Sequence, residues 1–86
     1  MPDTADHSFF AADRWYRDGR GPRYLQLYRH MASAIAEGAL EADGQIPPER
    51  DLAELADVSR VTVRKAVAQL AADGLIEQRR GAGSFV

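Results

Sequence analysis

The stretch Leu52-Ala53-Glu54-Leu55-Ala56-Asp57-Val58-Ser59-Arg60-Val61-Thr62-Val63-Arg64-Lys65-Ala66 decides the fold. A short helix over 49–56 is predicted, with Pro48 at or near its first position and Leu52, Leu55 and Ala56 as its buried stripe. Glu49 and Asp51 then lie in its first turn, where the helix dipole favours acids. A second helix starts after Ser59, whose hydroxyl can cap the free backbone N–H groups, and Val58 and Val63 have the spacing of a hydrophobic staple. Only Asp57 and Val58 separate the two, so the helices must cross steeply, as in a helix-turn-helix. Ala53 is the small residue that a close crossing needs. Asp57 stands at the turn, where aspartate tolerates a left-handed backbone better than most residues.

Upstream, Tyr24, Leu27, Tyr28, Met31 and Ile35 make one stripe of a helix over 24–37, which Gly38 ends. Asp43-Gly44 is a turn, and Gln45-Ile46 is a candidate short strand. Downstream, Val63, Ala66, Val67 and Leu70 face the core and Gly74 stops the helix. Two extended runs, 75–80 and 84–86, joined by Gly81-Ala82-Gly83, read as a hairpin. The predicted fold is therefore mainly α with a small β-hairpin, a winged helix-turn-helix of three helices plus a wing, over residues 24–86.

Residues 1–23 read as an arm and linker. Met1 to His7 is predicted to be disordered, 8–18 carries Phe9, Phe10, Trp15 and Tyr16 and could form a short amphipathic helix, and Asp18-Gly19-Arg20-Gly21-Pro22 punctuates the chain. So many aromatics imply packing, either onto the chain's own domain or onto a partner.

Eighty-six residues make one domain, and without cysteine there is neither disulfide nor thiolate metal site, so a reducing cytoplasm is expected. No apolar run approaches membrane-spanning length. The two histidines, His7 and His30, have no thiol or metal-ligand cluster beside them, and Gly81-Ala82-Gly83 does not precede a helix as a phosphate cradle should. No enzyme, metal or cofactor is expected.

A net charge of −2 is unusual for a nucleic-acid binder, but its distribution matters more, because phosphate is sensed within about 10 Å. From Ser59 to Ala72 there are three cations, Arg60, Arg64 and Lys65, and no acid. They lie with Val61 and Ala68 on the outward face of the helix over 59–73, whose N-terminal half is where a recognition helix meets base edges in the major groove. Arginine can form two parallel hydrogen bonds to guanine N7 and O6. Ser59 and Thr62 can bond phosphate, although Thr62 can instead bond the backbone one turn back; Lys65 suits phosphate or plain solubility. In the wing, 79–84, Arg79-Arg80-Gly81-Ala82-Gly83 allows close backbone approach and offers arginine to a narrow minor groove. The ordinary alternatives are a solvated charged face and a hairpin whose glycines serve only its turn. A second function remains open: a winged helix whose basic face docks an acidic protein.

The chain also resembles the DNA-binding domain of the GntR family of bacterial transcription regulators. Four stretches carry the resemblance: Tyr24-Leu25-Gln26-Leu27-Tyr28, Ile46-Pro47-Pro48-Glu49-Arg50-Asp51-Leu52-Ala53, Val58-Ser59-Arg60-Val61-Thr62-Val63-Arg64, and Asp73-Gly74-Leu75 leading to Arg80-Gly81-Ala82-Gly83-Ser84-Phe85-Val86. The resemblance implies a homodimer on a two-fold operator, with DNA contacts at Arg50, Ser59, Arg60, Thr62, Arg64 and the wing around Arg80 and Gly81. It also implies a further effector-binding domain absent from these 86 residues, a small-molecule effector bound there, and repression as the mode of regulation. Val61-Thr62-Val63-Arg64-Lys65-Ala66 is closer to the HutC-type branch, which implies an effector such as a sugar phosphate. Pro48 stands where the family usually has a capping serine, and Asp57 where it commonly has glycine.

Overall fold

The computed structural model describes residues 7–40, 44–79, 81 and 83–86. In chain order they form a 3₁₀ turn (His7–Phe10), α1 (Ala12–Trp15), α2 (Arg23–Glu37), β1 (Gln45–Ile46), α3 (Glu49–Ala56), α4 (Arg60–Ala72), β2 (Glu77–Arg79) and β3 (Gly83–Phe85).

The helix ends follow from local chemistry. Gly38 closes α2 at φ 81°, with its N–H on the Ile35 carbonyl and the Ala39 N–H on the Ala34 carbonyl. Asp57 closes α3 at φ 57° and ψ 47°, and it is the one non-glycine residue with positive φ among those described. Its N–H donates to the Glu54 carbonyl and the Val58 N–H to the Ala53 carbonyl, so the turn that starts the next helix also satisfies the end of the last one. Ser59 caps α4, its Oγ accepting from the Thr62 N–H at 3.1 Å. Pro48 is the residue before α3 rather than its first, with extended φ −56° and ψ 155° and no side-chain cap. A proline has no hydroxyl to offer there.

α2, α3 and α4 meet over Leu27, Met31, Leu52, Val63 and Leu70, which are sealed from solvent, with the small residues Ala53, Ala56 and Ala66 buried among them. Leu55, expected in the buried stripe of α3, is only half-buried. The hairpin is wider than expected. β3 lies between β1 and β2 in a three-stranded antiparallel sheet, with Ile46 opposite Ser84 and Glu77 opposite Phe85. The Val86 N–H donates to the Gly44 carbonyl at 2.9 Å and extends the β1 side.

The aromatic segment is a 3₁₀ turn and a single α-turn, not one amphipathic helix, and Ala11 breaks it with extended backbone. It folds onto its own domain. Phe10 and Trp15 are buried in the common core, and the Trp15 indole N–H donates to the Phe10 carbonyl at 2.9 Å. Buried Gln26 on α2 then holds the linker: its amide oxygen accepts from the Arg17 N–H, and its amide nitrogen donates to the carbonyls of Arg17 and Gly21. His30 lies at the core edge, stacked on Phe9 with ring centroids 4.2 Å apart and its Nε2 2.8 Å from the Phe9 carbonyl oxygen. Of the stretch expected to be disordered, Met1 to Asp6 lies outside the described residues.

Candidate nucleic-acid interface

The left-handed turn at Asp57 and the cap at Ser59 aim the start of α4 outward. The helix buries Val63, Ala66, Val67 and Leu70 and exposes Arg60, Val61, Arg64, Lys65 and Ala68, as the periodicity predicts. The Arg60 and Arg64 side chains are 60% and 63% exposed, so little desolvation stands between them and a ligand.

Neither guanidinium hangs free. Glu49, in the first turn of α3, takes both. Its carboxylate accepts from Arg64 Nε at 3.0 Å and Nη2 at 2.9 Å, a two-point fork, and from Arg60 Nε at 3.3 Å. The Arg64 hydrogen bonds, with the charges of both arginines, hold the Glu49 carboxyl below the usual carboxylate range, and Glu49 raises Arg64 in return. Arg64 faces solvent and Glu49 is half-buried at the surface, so the pair orients side chains more than it stabilises the fold. Sequence spacing does not reveal this clamp. Glu49 precedes Arg60 by 11 residues and Arg64 by 15, far beyond the three- and four-residue pairs that one helix brings together. Only the steep crossing of α3 and α4 joins them, and the helix dipole accounts for an acid at Glu49 without this contact.

The other candidates surround this centre. The Ser59 hydroxyl donates to Thr62 Oγ1 at 3.0 Å, which places the two hydroxyls together at the helix start. Lys65 Nζ lies 5.5 Å from the centroid of the Tyr24 ring at the start of α2. Arg50 is 75% exposed, with only a loose approach of 3.7 Å to Asp51. In the wing, Gly81 is exposed at φ 77°, which a glycine adopts without strain. Arg80 lies outside the described residues. Arg79 is tied to the hairpin, its guanidinium 4.4 Å above the Phe85 ring and 3.1 Å from Glu77 Oε1. A cleft of about 240 Å³ separates α3 and α4 from the sheet, with Glu49 and Arg64 on its rim. That is smaller than the roughly 300–1,000 Å³ of small-molecule sites, so it reads as a seam between helix and wing.

Comparison with known proteins identifies this arrangement. Residues 23–86 match the model of the family described as bacterial regulatory proteins, gntR family. A protein named probable fructoselysine utilization operon transcriptional repressor, from Escherichia coli K12, is 40% identical over 63 residues, covering 73% of this chain and 26% of its own length. The Bacillus subtilis transcriptional repressor NagR is 38% identical over 65 residues, covering 76% of this chain and 27% of its own. The chain thus spans about a quarter of these relatives. Among solved structures, the AraR DNA-binding domain in complex with operator ORX1 superposes with a TM-score of 0.74 at 35% identity, covering 83% of this chain and 86% of that one. A GntR family regulator from Listeria monocytogenes gives 0.75 at 28% identity, covering 81% and 61%. With the helix-turn-helix, the wing and the basic helix face in place, the fold is a winged helix and the chain belongs to the GntR family of bacterial regulators, which are DNA-binding proteins and not enzymes.

Proposed function

We propose that this chain is the operator-reading domain of a metabolite-responsive bacterial repressor, with α4 in the major groove and the wing, 79–84, at the minor groove. One observation carries the reading: Arg60, Arg64 and Lys65 share the exposed face of a helix whose capped start points outward. Arg60 and Arg64 read guanine edges. Ser59, Thr62, Lys65 and Arg50 bond phosphates and fix the register, and Arg80 with Gly81 approaches the minor groove. On DNA, the clamp at Glu49 holds the Arg64 fork in one orientation while leaving donors for a base.

Residues 24–86 are the DNA-binding unit and 1–23 its arm. The full protein acts in the cytoplasm as a homodimer on a two-fold operator. A small-molecule effector binds a further domain, and the relative named for fructoselysine utilization supports a sugar-derived effector of the HutC-type branch. This domain itself needs no cofactor.

Selection of bound duplexes from a random pool, followed by affinity measurements across salt concentrations, tests the reading. Arg60→Ala or Arg64→Ala is expected to lose about 1–3 kcal/mol on the selected duplex and far less on a scrambled one. Lys65→Ala is expected to weaken both alike and flatten the salt slope by about one unit. Equal losses on both duplexes would make the arginines phosphate clamps. A shallow salt response with an acidic protein bound in place of DNA would support the protein-docking alternative.

A further inference from the structure

Val61 is the single large hydrophobic side chain with high exposure among the described residues, at 54%. Its position on α4 is not incidental. At about 100° per residue, Val61 lies about 170° around the helix from the centre of the stripe formed by Val63, Ala66, Val67 and Leu70. Only Ala72, at the far end of the helix, points as directly away from the core. Ala68, two turns on, lies within about 20° of the same line. Arg64 flanks this apolar line on one side, with Arg60 beyond it, and Lys65 flanks it on the other; no acid occurs from Ser59 to Ala72.

Local helix chemistry does not explain a valine there. A β-branched residue loses side-chain freedom in a helix and is a poorer choice than alanine or lysine at an exposed position. Core packing does not explain it either, because it faces away. A protein partner needs about 800 Å² of surface on each side, and one valine with one alanine falls far short. What the line does fit is a narrow apolar feature between two rows of negative charge. The major-groove floor offers one, the 5-methyl group of thymine between the phosphate walls.

Building on the DNA-reading function above, we infer that Val61 is a specificity-determining residue that packs on a thymine 5-methyl group beside the guanine read by Arg60 or Arg64. The site should therefore prefer thymine at one position per bound domain, through the methyl group and not through hydrogen bonds.

Deoxyuridine tests this directly, because it keeps the hydrogen-bonding edge of thymine and removes only the methyl. A duplex selected from a random pool is synthesised with each thymine replaced in turn, and affinity for the 86-residue chain is measured by fluorescence anisotropy at fixed salt. One position is expected to weaken binding about fourfold, the effect of one buried methyl group. Val61→Ser, checked for folding by circular dichroism, should lose about the same factor on the thymine duplex and be indifferent to deoxyuridine at that position. Methyl-indifference at every position would overturn the inference, and the wild-type series alone can give that result. Full methyl sensitivity in Val61→Ser, or an equal loss on scrambled DNA, would overturn it too. If the wild-type chain showed no preference for the selected duplex over a scrambled one, the DNA-reading function itself would fall and this inference with it.

Discussion

Asp57 has the φ 57° and ψ 47° of a left-handed helix, a conformation in which Cβ crowds the following carbonyl. Asp57→Gly removes that crowding and is expected to be neutral or slightly stabilising. Asp57→Val should cost about 1–2 kcal/mol, because a β-branched residue resists the same backbone. Urea unfolding of the two variants measures the difference, and equal stabilities would contradict the turn. Glu49 works through charge instead. Since Arg64 holds its carboxyl below the usual range, the clamp is complete at neutral pH and is lost only as pH falls through that lowered value. Glu49→Gln is therefore expected to leave thermal stability nearly unchanged. It should raise affinity for all duplexes by removing a competing negative charge, while shrinking the preference for the selected site over a scrambled one. Affinities on both duplexes check this, and an unchanged preference would mean that Glu49 does not orient Arg64. The two residues differ in how well the sequence announced them. Asp57 stood in a two-residue connection that had to reverse, so its conformation followed from local sterics. Glu49 acquires its partners only when two helices cross, and its local setting already had another explanation.

At the level of elements, α4 was legible throughout: the cap, the buried stripe and the basic face all obey one helical period. The wing was less so. Its turn glycines announced a hairpin and Gln45-Ile46 stood out as a short strand, but two residues carry too little alternation to show which strand they pair with. That strand matters, because β3 is paired on both sides and the wing is thereby tied to the segment that leads into α3. Gly83 begins β3 opposite Arg79 at φ 108°, and a Cβ there would stand 2.8 Å from Gln45 Nε2 on β1. The glutamine can swing aside, so the backbone conformation sets the penalty. Gly83→Val should cost about 1–3 kcal/mol and loosen the wing, giving a larger loss of DNA affinity at 37 °C than at 10 °C. Hydrogen exchange at Glu77 and Phe85, opposite each other in β2 and β3, reports the loosening independently; unchanged protection would show that the wing tolerates the substitution.

Across the whole molecule, the arm and the charge distribution set behaviour. The arm's aromatics could have served the chain or a partner, and composition does not distinguish the two; burial of Phe10 and Trp15 beside Leu27 and Met31 does. Trp15→Ala should cost about 3 kcal/mol in urea unfolding, a large share of a small domain's stability, yet leave DNA affinity at low temperature intact. With those aromatics turned inward and Val61 the single large apolar side chain highly exposed among the described residues, no patch of dimer size is on view. Equilibrium sedimentation of the 86-residue chain is expected to give a monomer, and a tight dimer would place an interface on residues that face solvent here. With a net charge of −2, long-range attraction to DNA depends on where the cations lie and not on their sum. The burial of Trp15 has an optical consequence as well. It is the protein's one tryptophan, enclosed and hydrogen-bonded through its indole to the arm's own backbone. Intrinsic fluorescence excited at the red edge of absorption therefore comes from a single fluorophore that the arm itself inserts into the core. Its emission maximum is a built-in gauge of whether that arm is seated, readable without any label.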